Sequence, residues 1–396
     1  MRVLHLFDHA ARRRNDYSRR SLALLGQLRA QGVQTVQLTA APPEGQAGSD
    51  PGAADTGLIH AGHALHFYRT APPWPVCRRL GALAPMAALG TLAWRLRQMT
   101  RLTRPDLIHV HTPSRHALAA LPVARLGRLP LVIDAQRRNG DDGTAGAVER
   151  WALRRADALA AGSAEQRALL RVEGVSSGRI AVIPPAPDLE PARVPAHLRA
   201  PVGLEGAPLI VYAGRLRRED GLDLLLAVMP ALRRRYPALR LLVLGGGVRE
   251  DELAERTRAP GLRGHVAVTG ALACRRAADL LPRADVAVFP ALPGAHALLP
   301  SRHLLNAMAQ GCAIVASDIA CHRDLLVHGH SGVLFGAGSG VALLDALARL
   351  LDEPWRGPAL GQAAVDFVAG KRSWETTAAH YCRLYEAVLA GSGRRR

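Results

Sequence analysis

The sequence predicts an α/β fold built from two parallel-sheet halves, and three features carry that reading. The first is a βαβ start. Residues 2–7, RVLHLF, make a strand, Tyr17 to Ala30 carry apolar side chains at helical spacing (Leu22, Leu25, Leu28), Gly32 stops the helix, and VQTVQLTA is the next strand. Such a unit commits the chain to parallel pairing with right-handed crossovers. The second feature is a fresh βα series, opening at LIVYAGRL, that follows a proline-rich stretch of weak periodicity at residues 184–208. The third is size: 396 residues, 48% hydrophobic and 4% aromatic, suffice for two ordinary cores. Two Rossmann-like sheets facing each other across a cleft are expected, with limits at 1–190, a linker at 191–207, a second domain at 208–375 and a final helix and basic tail at 376–396.

The remaining elements follow in order. Residues 40–62 are too poor in apolar side chains to pack and read as a loop. A short strand spans 64–68, and an arginine-flanked helix spans 77–103. That helix has two readings: a surface helix packed on the sheet, or an interfacial one whose leucines and Trp94 dip into lipid while Arg78, Arg79, Arg95, Arg97 and Arg101 meet headgroups. Residues 106–111 form a buried strand in which His109 and His111 alternate with Ile108 and Val110. Helices at 114–125 and 146–155 and from Ser163, with strands LPLVIDA, ALAAG and RIAVIPP, complete the first half. In the second, a helix from Gly221 to Tyr236 and the strand LRLLVLGGG follow LIVYAGRL, and helices after Gly340 lead to one at Trp374 to Leu389 that can pack back on the first domain.

Composition bounds the function. A net charge of +18 would ordinarily raise nucleic acid or an anionic membrane. Lys371 is the only lysine, however, and the arginines are spread along the whole chain with no zinc-finger, RNP-type or basic-zipper pattern, which argues against nucleic acid. Five cysteines without paired spacing read as reduced thiols, with no zinc or redox motif. Met1 leads directly into a strand rather than a signal peptide, and the most apolar segment, Leu80 to Trp94, is shorter than the roughly 20 residues needed to cross a bilayer. A cytosolic protein is the expectation.

The stretch from Asp285 to Leu326 reads as strand, Gly/Pro/His loop, helix, strand and a further helix start. In a parallel sheet such strand ends and helix starts converge on one crevice, where amide N–H groups favour an anionic, phosphate-bearing ligand.

The order HVHTPS, VIPP, YAGRLRREDGLDLLL, LLVLGGG, ADVAVFP and NAMAQGCAIVASDIACHRDLL resembles glycosyltransferase family 4, the GT-B-fold retaining transferases. The opening MRVLHLFDHAARRRNDYSRR, with HRDLL near the end, is similar to the branch associated with exosortase and exopolysaccharide clusters. The resemblance implies a nucleotide sugar held mainly by the second domain. Its diphosphate would lie near Gly214 and Arg215, its base near Gly245 to Gly247 with Gly246 at the centre, and Ser301, His303 and Asn306 would stand at the loop and helix of the 285–326 stretch. It implies transfer without a metal or other cofactor, in which positive charge and N–H donors stabilise the leaving diphosphate. Arg215 suits that role, since a guanidinium can hold two phosphate oxygens; the alternative is a surface arginine at a strand end. His111 sits where the family has a histidine near the sugar hydroxyls; the alternative is a hydrogen-bonded core histidine. Arg12, Arg13, Arg14 and Arg20 would belong to the acceptor and membrane side, facing a lipid-linked saccharide.

Departures concentrate at the chemistry. The family's two glutamates fall on Leu298 and Asn306, its diphosphate lysine on Asp220, its first Gly-rich loop on ARRRNDYS and its paired glycines on Ala320 and Cys321. A hydrogen bond to a charged group contributes roughly 1.5 to 3 kcal/mol, and Asn306 can recover part of the ribose contact through its amide oxygen. A carboxylate about 4 Å from a phosphate opposes binding by about 4 kcal/mol at an effective dielectric near 20. Asp220 is therefore expected to point away or to pair with Arg217 or Arg218, which could replace the lysine; His296 or His303 could stand in for Leu298. Two hypotheses remain open. The chain is a membrane-peripheral transferase moving a sugar from a nucleotide donor to a polyprenyl-linked saccharide, or a non-catalytic paralogue that partners an active transferase.

Overall fold

The computed structural model describes residues 1–7, 16–39, 55–60, 63–69, 84–112, 115–135, 144–188, 207–247, 249–270, 280–294 and 301–393. The chain divides into two compact units, Met1–Pro184 with Trp374–Arg396, and Pro185–Ser373. The linker expected at 191–207 lies outside the described residues except for Ala207.

In chain order the first unit contains β1 (Arg2–Phe7), α1 (Asp16–Ala30), β2 (Gln34–Thr39), β3 (Asp55–His60), β4 (His63–Arg69), α2 (Ala84–Thr103), β5 (Leu107–Val110), α3 (Arg115–Gly127), β6 (Leu131–Asp134), α4 (Thr144–Arg155), β7 (Ala158–Ala161), α5 (Ala164–Val172) and β8 (Ile180–Val182). The strands form one sheet in the order β3-β4-β2-β1-β5-β6-β7-β8. All pairs are parallel except β3 with β4. That strand corrects the loop expected over 40–62: Asp55 to His60 pair antiparallel with His63 to Tyr68 as a short edge, which six residues bounded by polar and glycine-rich sequence do not advertise.

Strand alternation builds two cores. Leu4, Leu6, Ile108, Val110, Leu131 and Ile133 pack against Leu92, Leu96 and Met99 of α2 and the alanines of α3. Val3, Leu107, Val132 and Ala158 face the other way, onto Leu24 and Leu28 of α1 and onto Ala378, Tyr381 and Tyr385 of the final helix.

The second unit contains β9 (Leu209–Ala213), α6 (Leu222–Arg235), β10 (Arg240–Leu244), α7 (Glu250–Arg256), β11 (Val266–Val268), β12 (Val286–Phe289), α8 (Arg302–Ala309), β13 (Ile314–Ser317), α9 (Ala320–Arg323), β14 (Val333–Phe335), α10 (Gly340–Asp352) and α11 (Arg356–Lys371). Its all-parallel sheet has the order β11-β10-β9-β12-β13-β14. Ile210, Tyr212, Val243 and Val288 pack on α6 and α10, while Val211, Ala287, Ile314 and Ala316 pack on α8 and α11. The last helix, α12 (Trp374–Gly393), belongs to the first unit. Among the described residues no helix is long and apolar enough to cross a membrane.

Both sheets reverse strand order once. The first strand of each pairs with its successor on one side and with a later strand on the other: β1 lies between β2 and β5, and β9 between β10 and β12. Beyond the carboxyl ends at such a switch point the loops diverge and leave a crevice for ligand.

In the second unit that region is held by close backbone approach. Gly221, at φ +75°, has no room for a Cβ, which would fall inside the Pro290 carbonyl oxygen. Gly221→Ala is therefore expected to destabilise the chain by about 3 kcal/mol in urea titration. Gly370→Ala, with nothing within 4 Å of the added methyl, is the control expected to be neutral or better.

Candidate functional site

At the β9/β12 switch point, the turn after β9 carries Gly214, Arg215, Arg217 and Arg218. Arg215 and Arg218 are exposed, and the Tyr212 hydroxyl donates to the Arg215 carbonyl oxygen at 2.7 Å, supporting the turn from beneath. The Leu292 N–H donates to the Glu219 oxygen at 2.9 Å, tying the segment after β12 to the same turn. The glycines after β10 lie alongside: the Gly214 N–H donates to the Leu244 oxygen at 3.0 Å, and a Cβ on Gly245 would collide with the Gly214 carbonyl. Gly246 is half-buried and Gly247 exposed. Ser301 caps α8, its Oγ accepting from the His303 N–H at 3.2 Å.

Two expectations change here. The Asn306 amide oxygen accepts the Asp188 N–H at 2.8 Å, with Arg302 beside the Asp188 carboxylate at 3.5 Å. The oxygen expected for ribose is thus engaged by the segment entering this unit. Arg217 pairs with Glu219 at 3.4 Å, and neither it nor Arg218 forms an ion pair with Asp220 among the described residues. The Asp220 Oδ2 is buried without a hydrogen-bond partner. Burial pushes its carboxyl above the usual range, with Arg215 acting in the opposite sense. Leu298 and His296 lie outside the described residues.

At the β1/β5 switch point of the first unit lies a polar cluster inside the sheet–helix layer. His5 and His109 are register partners on adjacent strands, and His111 follows two residues on. His109 Nε2 and His111 Nδ1 meet the two oxygens of Asp134 at 3.2 and 3.1 Å. Tyr381 donates to Asp134 at 2.6 Å, Tyr385 reaches His109 Nδ1 at 2.7 Å, and His5 Nδ1 reaches His111 Nε2 at 2.9 Å. With neutral rings, one assignment gives every pair a donor and an acceptor. His109 is protonated on Nε2 and His111 on Nδ1, both donating to the carboxylate, and His5 donates from Nδ1 to His111. His5 Nε2 then remains a buried acceptor without a partner.

The three imidazoles are near enough to suggest a metal site. Their geometry argues otherwise. His109 is hydrogen-bonded to Asp134 and Tyr385, and His111 to Asp134 and His5, so both nitrogens of each ring are already occupied, and His111 also stacks on Phe7 at 4.1 Å and 7°. Burial, then His109, holds the His111 imidazole down at about 4, and burial, then His111, holds the His5 imidazole well below its ordinary range. Burial by itself opposes ionisation of Asp134, but His109 and the hydrogen bonds from both histidines outweigh it and keep the carboxyl well below its usual range. Arg20, on α1, lines a cavity of about 20 Å³ together with Ser21, His111, Asp134, Thr377 and Tyr381. Arg12, Arg13 and Arg14 lie outside the described residues.

The sequence reading singled out His111 and missed its partners. Asp134 was legible in principle as the charge ending an otherwise apolar strand, LVID; the tyrosines, some 247 residues on, were not.

Residues 17–186 match the family described as "Glycosyl transferase 4-like domain", and residues 207–353 match "Glycosyl transferases group 1". The chain belongs to the family 4 glycosyltransferases. This transferase is 28% identical over 302 residues to the glycogen synthase of Mycobacterium tuberculosis, covering 74% of this chain and 71% of that one. It is 29% identical over 321 residues to the GDP-mannose-dependent alpha-(1-6)-phosphatidylinositol monomannoside mannosyltransferase of Mycolicibacterium smegmatis, covering 80% and 76%. Among solved structures it resembles sucrose-phosphate synthase from Thermosynechococcus elongatus (TM-score 0.73, 18% identity, 98% of this chain and 99% of that one). It also resembles Anabaena HepE in complex with UDP-glucose (TM-score 0.69, 16% identity, 98% and 100%). These likenesses show the GT-B fold, two Rossmann-like domains.

The histidine cluster makes the transferase acid-sensitive. His5 and His111 stay neutral in the folded chain but charge below pH 6.5 once unfolded, so their contribution is intact above that pH and is lost as pH falls toward about 4. Asp134, with its folded pKa depressed, adds a loss at the acid end, below the ordinary carboxylate pKa. Melting temperature should be level from pH 8 to 7 and then fall, with a cost on the order of 3 kcal/mol by pH 4 from His111 alone. 15N-histidine spectra would attribute the titration; a level profile to pH 4 would contradict the assignment.

Proposed function

We propose that this transferase moves a sugar, with retention and without a metal, from a nucleotide-sugar donor held on the second unit to a saccharide acceptor served by the first. The observation that carries the reading is the β9/β12 switch point. Exposed Arg215 and the backbone of Gly214 to Gly221 and Gly245 to Gly247 lie side by side at the carboxyl end of the sheet, where a departing diphosphate would find charge and N–H donors. Arg215 stabilises the leaving group, with Arg217 and Arg218 adding positive potential on the same turn. Ser301 and His303 present the capped start of α8. Asn306 acts indirectly, holding Asp188 and the chain that enters the unit. Asp220 weakens the site relative to a lysine unless it is protonated or displaced. His111 and Arg20 serve the acceptor side, and the Asp134 cluster holds His111 in one orientation.

The acceptor is proposed to be lipid-linked, as the name of the mannosyltransferase relative suggests for that protein, in exopolysaccharide or cell-surface glycan synthesis. Helix α2 supports contact with an anionic membrane. Leu92, Leu96 and Met99 are buried, whereas Met86, Trp94, Arg97 and Arg101 recur at helical spacing on the opposite, exposed face.

Two measurements test these readings. Calorimetry with UDP, GDP and their sugars, with and without EDTA, should give saturable binding insensitive to the chelator; Arg215→Ala should weaken it about 10- to 100-fold. No heat at millimolar nucleotide removes the donor reading. For the membrane, the protein should sediment with phosphatidylglycerol vesicles and not with phosphatidylcholine. Trp94→Ser should lower the bound fraction at unchanged melting temperature, and equal sedimentation of both proteins removes the interfacial role.

A further inference from the structure

Arg249 stands just past the Gly245–Gly247 turn, in the position that caps α7. It is 9% exposed, unusual for an arginine on a loop. Its Nη1 and Nη2 reach the two oxygens of Asp223 at 2.9 and 3.1 Å, and its Nε and Nη2 reach the two oxygens of Glu252 at 2.8 Å each. Arg256 adds an ion pair to the same Asp223. Asp223 lies in the first turn of α6, the helix that follows the Arg215 turn in the chain. One guanidinium therefore bridges the element that follows the β10 turn and the element that follows the β9 turn.

At their near ends the same two turns already touch backbone to backbone at Gly214 and Gly245. Leu216 fills the space under Gly247, whose Cβ position is 3.4 Å from it. A turn fixed at one end only can hinge; fixed at both ends it presents its N–H groups in one geometry.

We propose that Arg249 is a positioning residue for the nucleotide, welding the Gly245–Gly247 turn to the head of α6 so that both turns meet one ligand as a single rigid cradle. This rests on the donor site lying at those turns, as argued above. Arg249 itself touches no ligand. A planar fork serving two carboxylates is needed, because a lysine cannot hold both in fixed register.

Removing the guanidinium also leaves Glu252 uncompensated and Asp223 paired with Arg256 alone near an anion, and the test must separate that effect from positioning. Arg249→Met is expected to raise the UDP or GDP dissociation constant about tenfold, with Arg249→Lys intermediate. In Arg249→Met/Asp223→Asn/Glu252→Gln the stray charges are gone, and the loss is expected to persist. Recovery of wild-type affinity in that triple variant, or wild-type affinity in Arg249→Met, would overturn the proposal. A ligand-free readout keeps it decidable if the wild type binds no nucleotide, the outcome that removes the donor reading instead. Hydrogen exchange at Gly245–Gly247 should accelerate in Arg249→Met while that of the β9 and β12 amides stays unchanged. Unchanged exchange at the glycines overturns it, and acceleration throughout the unit marks Arg249 as generally structural.

Discussion

Close backbone approach at the carboxyl end of the second sheet is the constraint on which the rest of that unit depends. Three main-chain contacts, Gly214 against Gly245, Gly221 against Pro290 and Leu292 against Glu219, join the segments after β9, β10 and β12. None uses a ligand-facing side chain. Only glycine permits two of them, because any Cβ would occupy the neighbouring carbonyl. The frame at this end of the sheet is thereby set by main chain rather than by side chains.

The first unit solves its problem in the opposite way, through side chains. A buried carboxylate is costly unless it is hydrogen-bonded, and Asp134 receives donors from His109, His111 and Tyr381. The cluster draws on β1, β5, β6 and α12, so the last helix contributes to the order of the first sheet's carboxyl end. His111 is held from both nitrogens and stacked on Phe7. Its use as a direct sugar ligand requires His5 to release Nε2, whereas its use in shaping the acceptor side requires nothing to move.

Charge is divided unevenly between these regions. The arginine excess is spread along the chain, yet many arginines are consumed locally: Arg217 by Glu219, Arg249 and Arg256 by Asp223, Arg323 by Asp318. What remains outward on α2 lies beside Trp94, on the face opposite the buried leucines. Net charge alone therefore says little about partners, and the placement of a few guanidinium groups says more.

The sequence by itself determined the alternation of strands and helices, since apolar periodicity and glycine stops record local geometry. It also determined the ordered motifs that mark a family 4 transferase. It did not reveal the edge strand β3, whose six residues become a strand only by pairing with β4. Tertiary structure alone decided which side chains meet: Asn306 with Asp188, Arg249 with Asp223, and Tyr381 with Asp134. The physical reason is that hydrogen bonding and ionic contact act over about 3 Å. Separations of 118, 26 and 247 residues along the chain carry no local signal of such contacts.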